Sequence, residues 1–180
     1  MPLACNGGMS RDQTLFQDTD GGVYHFCSSE NNATMHVARL AEDFLTPLSG
    51  PEHAARIFRG LSREAPAVFT HQGKYYLISS GCTGWDPNQA ELAAANRPLG
   101  PWRRKGNPCN GPQAETTFQA QSTFVLPVTG KPGAFIFMAD IWNKDNLGDS
   151  RYVWLPIQFL ENGSIEIRWM DEWDLSVFDE

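Results

Sequence analysis

The 180-residue chain carries a formal net charge of −7, and 12% of its residues are aromatic. Its basic residues are scattered apart from the short run Arg103-Arg104-Lys105, which argues against nucleic acid and anionic membranes as partners. With 16 Gly, 12 Pro and no apolar run long enough to span a bilayer, the composition reads as one all-β domain with many turns.

In chain order, the first recognisable unit is DQTLFQDTDGGVYHFCSSENN, Asp12 to Asn32. Two apolar runs flank DTDGG, which reads as a hairpin turn because it lacks the later ligands of a calcium loop. TMHVARL (34–40) is a further strand candidate. EAPAVFTHQGKYYLISSGCTGW, Glu64 to Trp85, repeats the pattern, with AVF and YYLIS joined by the turn HQGK. PNQAELAAAN (87–96) then carries the Ala and Leu content of a helix. LGPWRRKGNP (99–108) pairs a turn with the start of an exposed strand. The third unit is QSTFVLPVTGKPGAFIFMADIWN, Gln121 to Asn143, followed by strand candidates RYVWLPIQF (151–159) and IEIRW (165–169).

Each unit opens on a polar residue, runs into an apolar strand, turns at Gly, continues through an aromatic-rich strand and ends in a polar loop. A period of roughly 50 residues with about four strands per period is the signature of a β-propeller blade, a generic β-sandwich being the alternative. In a propeller the innermost strands run along one axis, so Asp12, Glu64 and Gln121 are expected to meet at one end of it. If they do not, they are strand-end caps.

Two carboxyls and an amide around an axial pocket suit glycosidic bond cleavage. A leaving oxygen needs a proton from an acid of raised pKa, and a water must be held on the opposite face of the sugar. Glu64 is the natural acid, Asp12 the charge that raises its pKa, and Gln121 the amide that orients the water. Sugars also need hydroxyl partners and aromatic platforms. Asn32 and Thr83 are candidates for the first, Trp85 and Trp142 for the second, all from loops in equivalent places. Asn32-Ala-Thr and Asn162-Gly-Ser match the glycosylation sequon. The four Cys, at 5, 27, 82 and 109, show no CxxC spacing, and no zinc site is expected. Either four free thiols or one or two disulfides fit, with Cys82–Cys109 the first pair to test.

SRDQTLFQDTDGGVYHFCSSENN, REAPAVFTHQGKYYLISSGCTGW, and QSTFVLP with FIFMADIWN closely resemble glycoside hydrolase family 43, from about Met9 to Phe178. The resemblance implies a five-bladed β-propeller that inverts the anomeric centre. It gives Asp12 the tuning and orienting of the acid, and Glu64 the role of general acid. The family's usual general base, an Asp in the first blade, has no counterpart. The exo-β-1,3-galactanase branch is similar in using a Gln there, and Gln121 in AQST matches it, with the imidic acid tautomer of the amide as its aid. Family domains run to roughly 300 residues, so residues 1–180 are expected to be the C-terminal portion of a single domain, a partial five-bladed β-propeller with about three blades. Expected with it are a polysaccharide or oligosaccharide substrate, release of galactose from β-1,3-galactan, and self-association through the open propeller. A catalytically inactive β-galactan-binding fragment and an arabinofuranosidase or xylosidase are the alternatives. No cofactor is expected, with a structural calcium in the axial channel left open as in some relatives. Polymer-degrading enzymes are usually exported, so an extracellular or periplasmic location is expected for the full-length protein. MPLACNGG itself is no signal peptide.

Overall fold

The computed structural model describes residues 8–179, and nearly all its regular structure is strand. A first meander is built from β1 (Gln13–Gln17), β2 (Val23–Ser29), β3 (Thr34–Arg39) and β4 (Ala54–Ile57), paired in that order and antiparallel throughout. A second contains β5 (Arg63–His71), β6 (Lys74–Gly81), β7 (Glu91–Ala95) and β8 (Arg103–Gly106). The third contains β10 (Gln121–Pro127), β11 (Phe135–Ile141), β12 (Arg151–Phe159) and β13 (Ile165–Arg168). Its far edge is extended by the two-residue β9 (Cys109–Asn110), which pairs parallel to β13.

The three sheets stack face to face. Alternation along a strand sends successive side chains to opposite faces, so the middle sheet feeds two cores. Ala67, Phe69, Tyr76 and Ile78 face the third sheet and meet Val125, Phe137, Leu155 and Ile167. Val68 and Leu77 point the other way and meet Phe16, Phe26, Met35 and Val37 of the first. The first strands of the sheets are neighbours, β5 touching both β1 and β10. That adjacency brings the heads of the three repeats together.

Turn chemistry explains the hairpins. Between β5 and β6, Gln72 and Gly73 both take positive φ, 48° and 72°, as a two-residue primed turn requires. Between β1 and β2, Asp18 accepts the Gly21 N–H and its own N–H reaches the Gly22 carbonyl, making DTDGG the hairpin turn its composition predicts.

Two expectations are corrected. Within the helix-like 87–96 segment Glu91–Ala95 form strand β7, with Leu92, Ala93 and Ala95 buried, and no helix is present there. Its small side chains fit the narrow space between sheets, and β6 supplies a full ladder for its backbone, so packing overrides propensity. Cys82 and Cys109 are free and do not pair. Cys82 lies just past β6, whereas Cys109 is buried on β9 at the far edge of the third sheet. Cys27 is the disulfide-bonded cysteine, and Cys5 lies outside the described residues. Among the described residues no helix is long and apolar enough to cross a membrane, and no group of three or more His, Cys, Asp or Glu is gathered for a metal ion.

Candidate active site

Glu64 sits in a bulge. Register along β5 and β6 pairs Glu64 with Ser80 and next pairs Ala67 with Ile78, so Ala65 and Pro66 together face the single Ser79 and β5 carries one extra residue. Ala65 adopts φ 52°, which bends the strand and re-aims what precedes it. The disturbed backbone is satisfied from both neighbouring sheets. Ala65 donates its N–H to Asp12 Oδ2 at 3.2 Å, and its carbonyl accepts from Ser122 Oγ at 2.7 Å. Ser28 Oγ donates to the Arg63 carbonyl at 3.0 Å. Thus the residue before Glu64 and the residue after it are each tied to another blade.

Both carboxyl oxygens of Glu64 accept from amides. Asn32 Nδ2 donates to Oε2 at 3.0 Å and Gln121 Nε2 to Oε1 at 3.2 Å. Gln121 Nε2 also lies 2.8 Å from Ser80 Oγ, while its Oε1 accepts from the Trp142 indole at 3.2 Å. Burial raises the Glu64 pKa and the charge of Asp12 adds to the rise, against the opposing hydrogen bonds of Cys82 and Gln121. The Cys82 thiol is pushed up to about 11 by burial and by the Glu64 carboxylate beside it.

Asp12, Glu64 and Gln121 therefore converge, drawn from three sheets, and Asn32 joins them. Its loop is unusual: Glu30, Asn31 and Asn32 all take positive φ, between 52° and 66°. Glu30 anchors it, accepting from Arg56 through both oxygens at 2.7 and 2.6 Å and pairing with His36 at 2.8 Å. With its amide engaged by Glu64, Asn32 is unsuited to carry a glycan. The Thr83 hydroxyl is spent within its own loop, donating to the Asp86 carbonyl at 2.6 Å and accepting from Asn88 at 2.7 Å. Trp85 and Trp142 meet edge to face, with centroids 5.8 Å apart. They wall a cleft of about 110 Å³ together with Asp86, Asn88, Gln119 and Gln121.

Sequence reasoning missed Ser80, Ser122 and Cys82 as parts of this constellation. Ser80 and Ser122 are near-buried strand serines, a residue class with no sequence signal of its own. It also missed Asp140, the cross-strand partner of Gln121 on β11, whose carboxyl is raised by burial.

Residues 1–149 match the model of the family described as Glycosyl hydrolases family 43. The chain belongs to that family. Among family 43 structures, it is similar to a β-1,3-galactosidase solved with galactodeoxynojirimycin, at 50% identity and TM-score 0.89, covering 93% of this chain and 48% of that one. A second family 43 β-1,3-galactosidase matches at 42% identity and TM-score 0.91, over 97% of this chain and 36% of its own. An exo-β-1,3-galactanase from Clostridium thermocellum matches at 34% identity and TM-score 0.80, over 90% and 34%. No curated protein is matched. The chain thus spans about half or less of each of these family 43 relatives, and its three sheets are three blades of a partial five-bladed propeller.

Proposed function

We propose that this chain carries the acid and water-holding groups of an inverting glycosidase that removes galactose from the end of β-1,3-galactan. The observation that supports it best is the carboxyl of Glu64, raised by burial and by Asp12 and bracketed by two amides drawn from other blades. A raised carboxyl pKa suits an acid that works near neutrality. The similarity to β-1,3-galactosidases and an exo-β-1,3-galactanase supports this choice of sugar and linkage.

In this reading Glu64 gives its proton to the glycosidic oxygen as the bond to the anomeric carbon breaks. A water held at Gln121 Oε1 forms the new bond from the opposite face and gives its proton to that oxygen. Gln121 then releases a proton from Nε2 across the 3.2 Å contact to the Glu64 carboxylate. This leaves Gln121 as its imidic acid tautomer with the acid restored, and the amide re-forms as Oε1 gives its proton to solvent and Nε2 takes one back, so protons balance over one turnover. Trp85 and Trp142 offer ring faces and edges beside the cleft for the C–H surfaces of the sugar. Self-association belongs to the same reading, since the outer face of the third blade exposes Phe124, Leu126, Tyr152 and Trp154.

The test is incubation of the purified chain with β-1,3-galactan, following the first product by proton NMR. Galactose appearing first as its α-anomer, with the reaction abolished in Glu64→Gln, is the expected result. No galactose, β-galactose first, or an unimpaired Glu64→Gln variant would overturn it. Cleavage of an arabinofuranoside or xyloside in its place would reassign the substrate.

A further inference from the structure

The two ends of an amide are nearly alike in shape, and its orientation is set by neighbours with a single hydrogen-bonding role. Gln121 has three polar neighbours, and they differ in this respect. Ser80, 2.8 Å from Nε2, is indifferent because a hydroxyl both donates and accepts. Glu64, 3.2 Å from Nε2, accepts when ionised but donates when protonated, and would then draw the oxygen end of the amide toward itself. The Trp142 indole, 3.2 Å from Oε1, is a donor and nothing else. Of the three, its demand on Gln121 alone is the same in both states of Glu64.

Asn32 supplies the contrast. Its Nδ2 holds the other oxygen of Glu64, yet its Oδ1 is buried with no partner. A protonated Glu64 can therefore be met by turning the Asn32 amide over, which breaks no bond at Oδ1 and gives up only the weak contact of Nδ2 with the Cys82 thiol. Turning Gln121 over breaks the bond to Trp142.

We propose that Trp142 is a positioning residue, whose indole N–H holds the Gln121 oxygen toward the cleft whichever protonation state Glu64 adopts. The consequence for turnover rests on the function proposed above. There Gln121 Oε1 receives the proton of the attacking water, and an amide turned the other way offers that water an NH₂ group that cannot accept it. Trp142 then does more than provide an aromatic wall, and Phe at this position separates the roles by keeping a ring and losing the N–H.

Two measurements on the whole chain test this. In ¹⁵N-labelled protein the Trp142 indole resonance is identified by its loss in Trp142→Phe. Gln121→Ala should shift it and speed its hydrogen exchange about tenfold; an unchanged resonance overturns the proposal whether or not the chain hydrolyses galactan. In kinetics, Trp142→Phe should lower kcat about tenfold with KM within about twofold, the scale of one lost hydrogen bond. The Trp142→Phe/Gln121→Ala double variant should be no slower than Gln121→Ala alone. A raised KM at unchanged kcat, or additive losses, would leave Trp142 as a wall and overturn the proposal. Absence of galactose release by the unmodified chain would sink the function reading, while the indole measurement would still decide the orientation.

Discussion

The charge of Asp12 acts on Glu64 with no hydrogen bond between the two side chains. Asp12 spends one oxygen on the Ala65 N–H and so stays fixed beside the bulge that carries Glu64. Its charge comes second to burial among the causes that raise the Glu64 pKa. Asp12→Asn keeps an oxygen for Ala65 and removes the charge, so the pKa of Glu64 should fall. Under the proposed function the rate needs Glu64 protonated and declines as pH rises through that pKa. The decline on the alkaline side of the pH–kcat/KM profile should therefore begin at lower pH in Asp12→Asn. A profile unmoved or shifted upward would show that Asp12 does not tune the acid. Glu64 was legible in the sequence as a charge placed ahead of an apolar run, because such charges seldom stand there without a task. The bulge that aims it was not, since nothing in Ala65-Pro66 distinguishes a one-residue insertion from a regular strand start.

Between the second and third blades, the segment before β10 is held by Thr117. This buried, β-branched residue takes φ 54°, the first of three consecutive residues with positive φ. Such a conformation is unfavourable for Thr and persists where neighbours over-determine it. Here its hydroxyl donates to the Asn88 carbonyl and accepts from the Ala90 N–H, both at 2.7 Å. Asn88 in turn closes the Gly81–Thr83 loop through its side chain. One hydroxyl thus links the loop bearing Trp85 to the approach to Gln121. Thr117→Val keeps the shape and the branched backbone preference but leaves a buried N–H and a carbonyl unpaired. It should cost about 2–4 kcal/mol in chemical denaturation, whereas Thr117→Ser should stay within about 1 kcal/mol of the unmodified chain. Equal stability of the two variants would remove the hydroxyl from this account. The sequence showed β12 at its observed bounds, because apolar and aromatic residues dominate RYVWLPIQF between polar flanks. It misread β7, whose Ala-rich pattern suits a helix as well as a narrow slot between sheets. It gave no sign of β9, since two residues carry no period.

At the scale of the molecule, the repeat was readable because each blade is one supersecondary unit that cannot bury its faces alone. The same logic applies to the last blade. Its inner face packs on the second blade, while the outer face aligns Phe124 with Met138 and Met138 with Trp154 in cross-strand register. On that face Tyr152 is 72% and Trp154 49% exposed. Apolar faces of this kind on a sheet mark surfaces that pack against something, and a second copy of the chain offers the same face for a self-complementary contact. Sedimentation should therefore find a mass above the 20.1 kDa of one chain, rising with concentration. Trp154→Lys places a charge at the centre of the face while leaving both described cores intact, and it should weaken association about tenfold or more. A chain that sediments as a monomer at all concentrations would refute the contact. A Trp154→Lys variant that associates as before would move it to another surface.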